Sequence, residues 1–394
     1  METPTRSIRP REGVALCLSG GGFRAALFHL GALRRLNELG VLSHVDTISA
    51  VSGGSIVAAH FAQRVKEWPE RGKSIPDWDD VVAAPFRSFA GRNLRTPALL
   101  HRAMPTNWLR SGSAVDALAE RLEATLTGLA LPELPVRPRY VFSATDMTFG
   151  INWVFERTRA GDFQVGYLVP DAGWPVSRAV AASSCFPPVF GPMRLRLAPG
   201  DLRGGSYRRR DRDELVAGVQ LTDGGVYDNM ALEPVWKRHR TLLVSDGGAL
   251  FDYASSSGGM RRLLRYPAIV GKQATALRRR WLMAGLSAGP IEGAYWGIGT
   301  TSRADTILLA YPNALVEDVI SAIRTDLDAF SDAEIAILEN HGYLAAERAI
   351  RRRAAHLIAR DASLDVPWPE WLDDEPRIRD ALRGSERRTL LGRW

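Results

Sequence analysis

Residues 14–24 read V-A-L-C-L-S-G-G-G-F-R, and residues 45–57 read V-D-T-I-S-A-V-S-G-G-S-I-V. Each stretch begins with a short apolar run typical of a buried strand and then continues into glycines. After the first glycines, apolar residues recur every three or four positions until Gly40, which is typical of a helix with a glycine stop. A second helical pattern follows the second glycines. The sequence therefore predicts an α/β fold, with a mostly parallel central sheet flanked by helices.

Ser52 lies where the second strand is expected to end and the following helix to begin. Gly53 and Gly54 follow it, and a serine on such a sharp turn is called a nucleophile elbow, with the usual pattern G-x-S-x-G. Ala50 stands in place of the first glycine, which adds only a methyl group to the turn. Ser52 is therefore the candidate nucleophile of an acyl-transfer reaction.

Gly20, Gly21 and Gly22 form a loop directly before the first predicted helix. Glycines at a helix start leave backbone N–H groups free to point outward, at the positive end of the helix dipole. Such a loop suits an anion or a developing oxyanion. It lacks the patterns of a P-loop and of a dinucleotide-binding loop.

Two Asp-Gly-Gly tripeptides follow short predicted strands farther along the chain. They are Asp223-Gly224-Gly225 and Asp246-Gly247-Gly248. Either aspartate could act as the base for the candidate serine. His239, His341 and His356 come after the first tripeptide, so the order Ser, acid, His of an α/β-hydrolase triad also stays open.

Three motifs in this order resemble those of the patatin-like phospholipase family. The match consists of the G-G-G-x-R loop at residues 20–24, the elbow at Ser52 and the D-G-G at residues 223–225. Residues 181–190 (A-A-S-S-C-F-P-P-V-F) are similar to the stretch that precedes the D-G-G in that family. The resemblance covers roughly residues 12–250.

The resemblance implies a patatin-like three-layer sandwich and a Ser–Asp dyad, with Ser52 as nucleophile and Asp223, rather than Asp246, as base. A free carboxylate with a pKa of about 4 is a poor base for a hydroxyl, so we expect burial to raise the Asp223 pKa. The resemblance assigns Gly20, Gly21, Gly22 and Arg24 to the oxyanion hole and gives Gly53, Gly54, Gly224 and Gly225 a supporting role.

The composition indicates which partners are expected. Lys and Arg exceed Asp and Glu by seven (51 against 44), and a basic surface favours anionic partners such as phospholipid headgroups. Cys17 and Cys185 are the only cysteines and show no metal-ligand spacing, so we expect no metal and no cofactor. No groove-reading or base-stacking motif appears, and no nucleic acid is expected. The oligomeric state stays open.

Neither a signal peptide nor an apolar stretch long enough to span a membrane is visible, which predicts a cytoplasmic protein that contacts membranes peripherally. The predicted organisation is a flexible basic arm at 1–12, a catalytic domain at 13–360 and a charged, Pro-containing tail at 361–394. A helical insertion is expected at about 68–139, and a basic, aromatic segment occupies about 260–300. That segment fits either an anionic membrane contact or a core-packed helix with a solvated basic face.

Three local expectations complete the prediction. Residues 151–169 suggest a hairpin interrupted at 160–162, residues 314–358 look helical, and His341-Gly342-Tyr343 is expected to punctuate that helical region. Together with the motifs, these features favour a serine lipid acyl hydrolase of the phospholipase A type. The alternative is a non-catalytic protein on the same fold that binds phosphate, nucleotide or membranes.

Overall fold

The computed structural model describes residues 10–103, 113–187, 189–249, 259–301 and 309–385. Most of the proposed basic arm at 1–12 lies outside these residues. The first four elements are β1 (Val14–Leu18), α1 (Gly22–Glu38), β2 (Val45–Val51) and α2 (Gly53–Arg64). The two predicted strand–loop–helix units are therefore present, and every residue of β1 is buried, as expected of a central strand.

The remaining elements comprise eight strands and ten α-helices of the described residues. The strands are β3 (Arg139–Asp146), β4 (Ile151–Glu156), β5 (Ala160–Asp162), β6 (Gly166–Leu168), β7 (Met193–Arg194), β8 (Gln220–Asp223), β9 (Thr241–Asp246) and β10 (Glu292–Gly297). The helices are α3 (Ala84–Ala90), α4 (Arg95–Ala103), α5 (Ser113–Thr125), α6 (Val176–Ser183), α7 (Arg212–Ala217), α8 (Gly225–Asp228), α9 (Gly259–Ala288), α10 (Asn313–Leu315), α11 (Asp332–Arg353) and α12 (Glu375–Ala381).

All ten strands of the described residues belong to one mixed sheet. Eight of them follow the order β10-β9-β1-β2-β3-β4-β5-β6, while β8 pairs with β3 and β7 pairs with β8. The first five strands in this order run parallel to one another. From β3 onward the pairing is antiparallel, through β4, β5 and β6. The predicted α/β fold with a helix-flanked sheet is confirmed, and its parallel part is the half that contains β1 and β2.

The strand β8 stands end to end with β2, and both lie on the same side of β3. Val51, the last residue of β2, pairs with Ser143 in parallel, whereas Asp223, the last residue of β8, pairs with Ala144 in antiparallel fashion. Because Ser143 and Ala144 are consecutive, the C-terminal ends of β2 and β8 meet head-on. Whatever follows Val51 therefore lies beside Asp223.

The helix α11 is continuous from Asp332 to Arg353, so the predicted punctuation at residues 341–343 is wrong. Gly342 lies against α1 so closely that a Cβ there would come within 1.8 Å of the Phe28 carbonyl oxygen. Gly31 of α1 meets the Glu339 carbonyl oxygen at the same distance. These glycines allow two helices to pack in close contact rather than ending one of them.

The interruption predicted at residues 160–162 is also wrong, because these residues form β5 between β4 and β6. Gly161 adopts a φ of 144°, and a Cβ there would lie 2.1 Å from the Gly166 carbonyl oxygen. The glycine therefore marks a close approach of two strands and not a loop.

The helical prediction for residues 314–358 holds only in part. Residues 321–331 are mostly irregular, between a π-helical turn at Val316–Ile320 and the start of α11. The Asp326 carbonyl oxygen accepts the backbone N–H of Phe23, so this stretch packs against the start of α1. Backbone carbonyls committed to such contacts are not available to a helix.

The described parts of the insertion and of the tail pack against the core. Phe86 and Leu118 from the insertion are fully buried, and so is Ile378 from the tail. Two tail carbonyls, those of Ala362 and Ser363, accept hydrogen bonds from the buried Arg35 guanidinium. No helix in the described part of the chain combines the length and the apolarity that a bilayer span requires.

Candidate active site

Ser52 occupies the sharp turn between β2 and α2 with a strained backbone. Its φ of 52° and ψ of −120° lie in a region that residues with side chains rarely adopt. The turn is tight because Gly53 and Gly54 have no room for a side chain. A Cβ on Gly53 would lie 2.1 Å from the Gly22 carbonyl oxygen, and one on Gly54 would lie 2.2 Å from that of Leu18. Surrounding contacts hold the strained turn in place.

Ser183, the last residue of α6, fixes the backbone of this turn. Its hydroxyl accepts the Ser52 N–H at 2.9 Å and donates to the Ser143 carbonyl oxygen at 2.6 Å. The Ser55 hydroxyl lies at 2.9 Å from the same oxygen and supplies its second accepted hydrogen bond. One donor and two acceptor positions exhaust a serine hydroxyl, so Ser183 is fully used in positioning the elbow.

Asp223 is buried beside Ser52 at the head-on junction of β8 and β2. Its Oδ1 accepts the Gly225 N–H at 2.7 Å. Burial raises the pKa of Asp223 to about 7, although the Gly225 N–H and the nearby Ser52 side chain act to lower it. A carboxyl with this pKa can accept a proton near neutral pH far better than an exposed aspartate can.

The glycine loop at residues 20–22 packs directly on the elbow. A Cβ on Gly20 would lie 3.1 Å from Ser52 Cβ and 2.4 Å from Asn229 Oδ1. The Gly20 N–H donates to the Asn229 carbonyl oxygen at 3.0 Å, which ties the loop to the segment that follows Asp223. Gly21 and Gly22 have φ values of 144° and 58°, which only glycine adopts without strain.

Two helix N-termini converge at this point. Gly22 begins α1 and Gly53 begins α2, and their backbones are in contact. Among the described residues, the N–H groups of Gly21, Gly22 and Gly53 have no hydrogen-bond acceptor. Free N–H groups at two positive dipole ends can stabilise a negative oxygen next to Ser52.

The chain matches the family model for patatin-like phospholipase over residues 16–236. That region is more than half of the 394 residues and contains both Ser52 and Asp223. The chain belongs to the patatin-like phospholipase family.

Two solved structures are distantly similar to this family member. Human GIVD cytosolic phospholipase A2 matches with 12% identity and a TM-score of 0.44, over 95% of this chain and 63% of that chain. VipD from Legionella pneumophila matches with 13% identity and a TM-score of 0.35, over 87% of this chain and 67% of that chain. The chain thus spans less than two thirds of the human protein. No curated protein matches the sequence.

Arg24, which the motif places in the oxyanion hole, points elsewhere in this patatin-like protein. Its guanidinium is buried and donates to the carbonyl oxygens of Ser321, Ile323 and Gly247, at 2.9 to 3.3 Å. Burial lowers its pKa to about 10, and Asp246 partly offsets that effect. Arg24 therefore joins the start of α1 to two loops, and the structure does not bring it together with Ser52.

Asp246, the aspartate of the second D-G-G, does not reach the nucleophile. It ends β9, on the far side of β1 from β2. Its carboxyl accepts from the Tyr295 hydroxyl at 2.8 Å and from the Gly248 N–H at 3.0 Å. The following Gly247 carbonyl oxygen is one of the acceptors of Arg24. The second tripeptide thus shapes the wall behind the glycine loop.

The three histidines that could complete a triad are placed away from the dyad. His239 contacts Thr47 near the N-terminal end of β2, and His341 contacts the carbonyl oxygen of Ile298. His356 is exposed on a short turn after α11. Burial lowers the pKa of His239, and that of His341 to about 4. No described histidine side chain hydrogen-bonds the candidate nucleophile or Asp223.

His29 supports the glycine loop from inside α1. It bonds the Ser19 carbonyl oxygen at 2.9 Å and the Ser245 hydroxyl at 2.7 Å, and burial lowers its pKa to about 4. The described residues contain no group of three or more His, Cys, Asp or Glu side chains that could hold a metal ion. Sequence reasoning missed the positioning roles of His29 and Ser183, because only tertiary contacts define them.

Proposed function

We propose that this protein is a serine lipid acyl hydrolase of the phospholipase A type. It hydrolyses carboxylic ester bonds of glycerophospholipids or other lipids through a Ser52–Asp223 dyad and a glycine-loop oxyanion hole. The observation that carries the proposal is the head-on meeting of β2 and β8, which sets the Ser52 hydroxyl against a buried carboxyl with a pKa of about 7. Membership of the patatin-like phospholipase family supports a lipid as the substrate.

In the first half of the reaction, the Asp223 carboxylate takes the proton of the Ser52 hydroxyl while the oxygen attacks the ester carbonyl carbon. The carbonyl π electrons move to oxygen and form an oxyanion. As the tetrahedral intermediate collapses, the bond to the leaving alcohol breaks and Asp223 returns its proton to that alcohol oxygen. An acyl-Ser52 ester remains, and a lysolipid or other alcohol leaves.

The second half repeats these steps with water as the nucleophile. Asp223 takes a proton from water, the hydroxide oxygen attacks the acyl carbon, and the Ser52 oxygen leaves with the proton returned from Asp223. The fatty acid is released and the enzyme is regenerated. Both halves pass through an oxyanion in the same place, so one set of donors serves both.

The donors proposed for that oxyanion are the free N–H groups of Gly21, Gly22 and Gly53. One such donor is typically worth about a 100- to 1,000-fold effect on the rate. Gly20 contributes by close packing against Ser52 rather than by donation, because its N–H is bound to Asn229. Arg24 acts as a positioning residue, because its hydrogen bonds hold the start of α1 in place.

The net charge of +7 supports transient contact with an anionic membrane surface, where such a substrate would be found. A non-catalytic protein that binds phosphate, nucleotide or membranes remains the alternative, since free N–H groups at helix N-termini also suit a bound anion. A buried base beside a strained serine is an arrangement that ligand binding alone does not require.

The test compares Ser52→Ala with Ser49→Ala, a matched change three residues earlier, within β2. The buried Ser49 hydroxyl has no hydrogen-bond partner among the described residues, so its removal should leave activity within about twofold. Ser52→Ala should lower ester hydrolysis by about 10,000-fold or more, because the nucleophile is absent. Mass spectrometry of mixed lipids would identify the product, and a fluorophosphonate probe should label the native chain only at Ser52.

Retained turnover or unchanged probe labelling in Ser52→Ala would remove the assignment. Saturable nucleotide or phosphate binding by the native chain, without hydrolysis of any ester, would favour the non-catalytic alternative.

A further inference from the structure

The helix α9 is longer than the sheet edge against which it packs. Its 30 residues extend about 45 Å, whereas the six residues of β9 extend about 20 Å. Leu282 is fully buried against the sheet, and the Lys272 ammonium donates to the Ala249 carbonyl oxygen, three residues beyond β9. Residues of α9 before Lys272 therefore extend past the edge of the sheet that carries Ser52.

The outward face of α9 is apolar and exposed. The fractional exposures are 59% for Tyr266, 68% for Val270, 60% for Leu277 and 40% for Trp281. These four positions are spaced by four, seven and four residues, so they lie within a sector of about 60° on an α-helix. An exposed apolar stripe along a helix is unusual for a surface in contact with water alone.

The charge of α9 has a single sign. Residues 259–288 contain seven Lys and Arg and no Asp or Glu. Arg278 turns inward, where it lies 3.8 Å from the Asp228 carboxylate and over the Tyr227 ring. Arg280 is exposed beside Trp281 on the outer side of the helix. Cations beside an apolar stripe are typical of a helix that lies in the interface of an anionic bilayer.

We propose that the outward face of α9, formed by Tyr266, Val270, Leu277, Arg280 and Trp281, docks this protein onto an anionic lipid bilayer. This inference deepens the proposed function and rests on it for its purpose, because the bilayer would supply the ester substrate. A second copy of the chain is disfavoured as the occupant, since residues 259–288 contain no Asp or Glu that could pair with Arg280 of the other copy.

The contact has a direct relation to the active site. Arg278 attaches α9 to Tyr227 and Asp228, which closely follow Asp223 in the chain. The part of α9 before Lys272 stands beside the carboxyl ends of the parallel strands. A bilayer held on that part lies next to the edge of the sheet from which Ser52 acts.

The experiment uses the 394-residue chain with Ser52→Ala, so that hydrolysis does not alter the vesicles. We expect it to co-sediment with vesicles of phosphatidylcholine and phosphatidylglycerol in equal parts, to bind pure phosphatidylcholine weakly, and to dissociate at high salt. Val270→Asp should weaken binding to the anionic vesicles by about tenfold, because it replaces an inserted apolar group with a like charge.

Val169→Asp is the matched control. Val169 is 78% exposed and follows β6, at the opposite end of the sheet from α9, so its substitution should leave binding within about twofold. A second variant and its control test the role of charge. Arg280→Glu should weaken binding about five- to tenfold, and Arg210→Glu on an exposed loop should have little effect.

Equal vesicle binding by Val270→Asp and Val169→Asp, or binding that does not depend on lipid charge, would overturn the proposal. A dimer in sedimentation that Val270→Asp converts to monomer, with vesicle binding unchanged, would assign the face to a second copy. Loss of duplex DNA binding in the α9 variants, with vesicle binding kept, would assign it to nucleic acid.

A soluble short-chain ester separates this proposal from the catalytic one. On a wild-type background, Val270→Asp should keep full kcat/KM for that ester and lose about tenfold on vesicle substrate. Turnover of the soluble ester by Ser52→Ala would defeat the dyad while leaving the vesicle-binding result valid.

Discussion

The two D-G-G tripeptides are identical in sequence, and each follows a buried strand, yet they are placed in different environments. Asp223 ends β8, which runs antiparallel to β3 and points at the end of β2. Asp246 ends β9, which runs parallel to β1 and lies two strands from β2. The first aspartate faces Ser52, and the second receives the Tyr295 hydroxyl.

This difference shows that strand direction, rather than the motif, determines which carboxyl meets the serine. A strand parallel to β2, such as β9, ends at the same edge of the sheet as β2 does. Its last side chain therefore lies beside the end of β2 and not opposite it. An antiparallel strand in line with β2 brings its last residue against the serine.

The strongest test is a pair of conservative substitutions. Asp223→Asn should lower kcat/KM by about 10,000-fold, because an amide cannot accept the Ser52 proton. Asp246→Asn keeps an oxygen for the Tyr295 hydroxyl and should change kcat/KM by less than about tenfold. Steady-state kinetics with a soluble ester would measure both, and circular dichroism would check the fold. A larger loss in Asp246→Asn than in Asp223→Asn would reverse the assignment of the base.

The pH dependence of the reaction should follow Asp223. Because its pKa is raised to about 7, we expect kcat/KM to fall about tenfold for each pH unit below about 7, as the base becomes protonated. Asp246→Asn should show the same acid limb. A limb centred near pH 4 in the native enzyme would contradict a buried base at this position.

The same pKa has a consequence for stability. The folded-state value of about 7 exceeds the unfolded value of about 4, so the carboxyl binds its proton more tightly in the folded chain. Its contribution to stability is therefore full below about pH 4 and is lost as the pH rises to about 7. Asp223→Asn does not titrate, and urea unfolding should show it gaining up to about 4 kcal/mol on the native chain over that range. A constant difference across this range would argue against the raised pKa.

A smaller effect on kcat should distinguish the hydroxyl groups of Ser183 and Ser245. Ser183→Ala removes the acceptor of the Ser52 N–H, and we expect kcat to fall about tenfold with little change in KM, because the elbow loses its position. Ser245→Ala removes one of the two hydrogen-bond partners of His29, and it should cost about 1 kcal/mol of stability without changing kcat. An unchanged kcat in Ser183→Ala would make that contact purely structural, and Ser183→Thr should restore most of the loss.

The structural role of glycines is the feature that the sequence predicted least reliably. Gly53 and Gly54 were expected at a turn and are found there, held against backbone oxygens of neighbouring segments. Gly161 and Gly342 were expected to interrupt elements, and both instead allow close contact within continuous ones. The sequence does not distinguish glycines at turns from glycines at close contacts, because the missing Cβ permits both a positive φ and a close approach of two backbones.

Arg24 and Ser183 show a second limit. A charged residue beside a glycine loop suggested a role at the oxyanion, but the two terminal nitrogens of Arg24 donate to carbonyls at residues 247, 321 and 323. Ser183 lies 131 residues from Ser52, and nothing in its own segment indicated that it binds the elbow. Contacts over such separations depend on how helices dock on the sheet.

Hydrophobic period and glycine placement act over a few neighbouring residues, so the sequence alone predicts the strands β1 and β2, the glycine loop, the elbow and Ser52 as the candidate nucleophile. The family resemblance added the pairing of Asp223 with Ser52, but the geometry of that pairing, the size of the Asp223 pKa shift and the support of the turn by Ser183 appear only in the folded chain. Those outcomes depend on the register of β8 against β3 and on burial, which arise from the whole packed chain and are not encoded in any single segment.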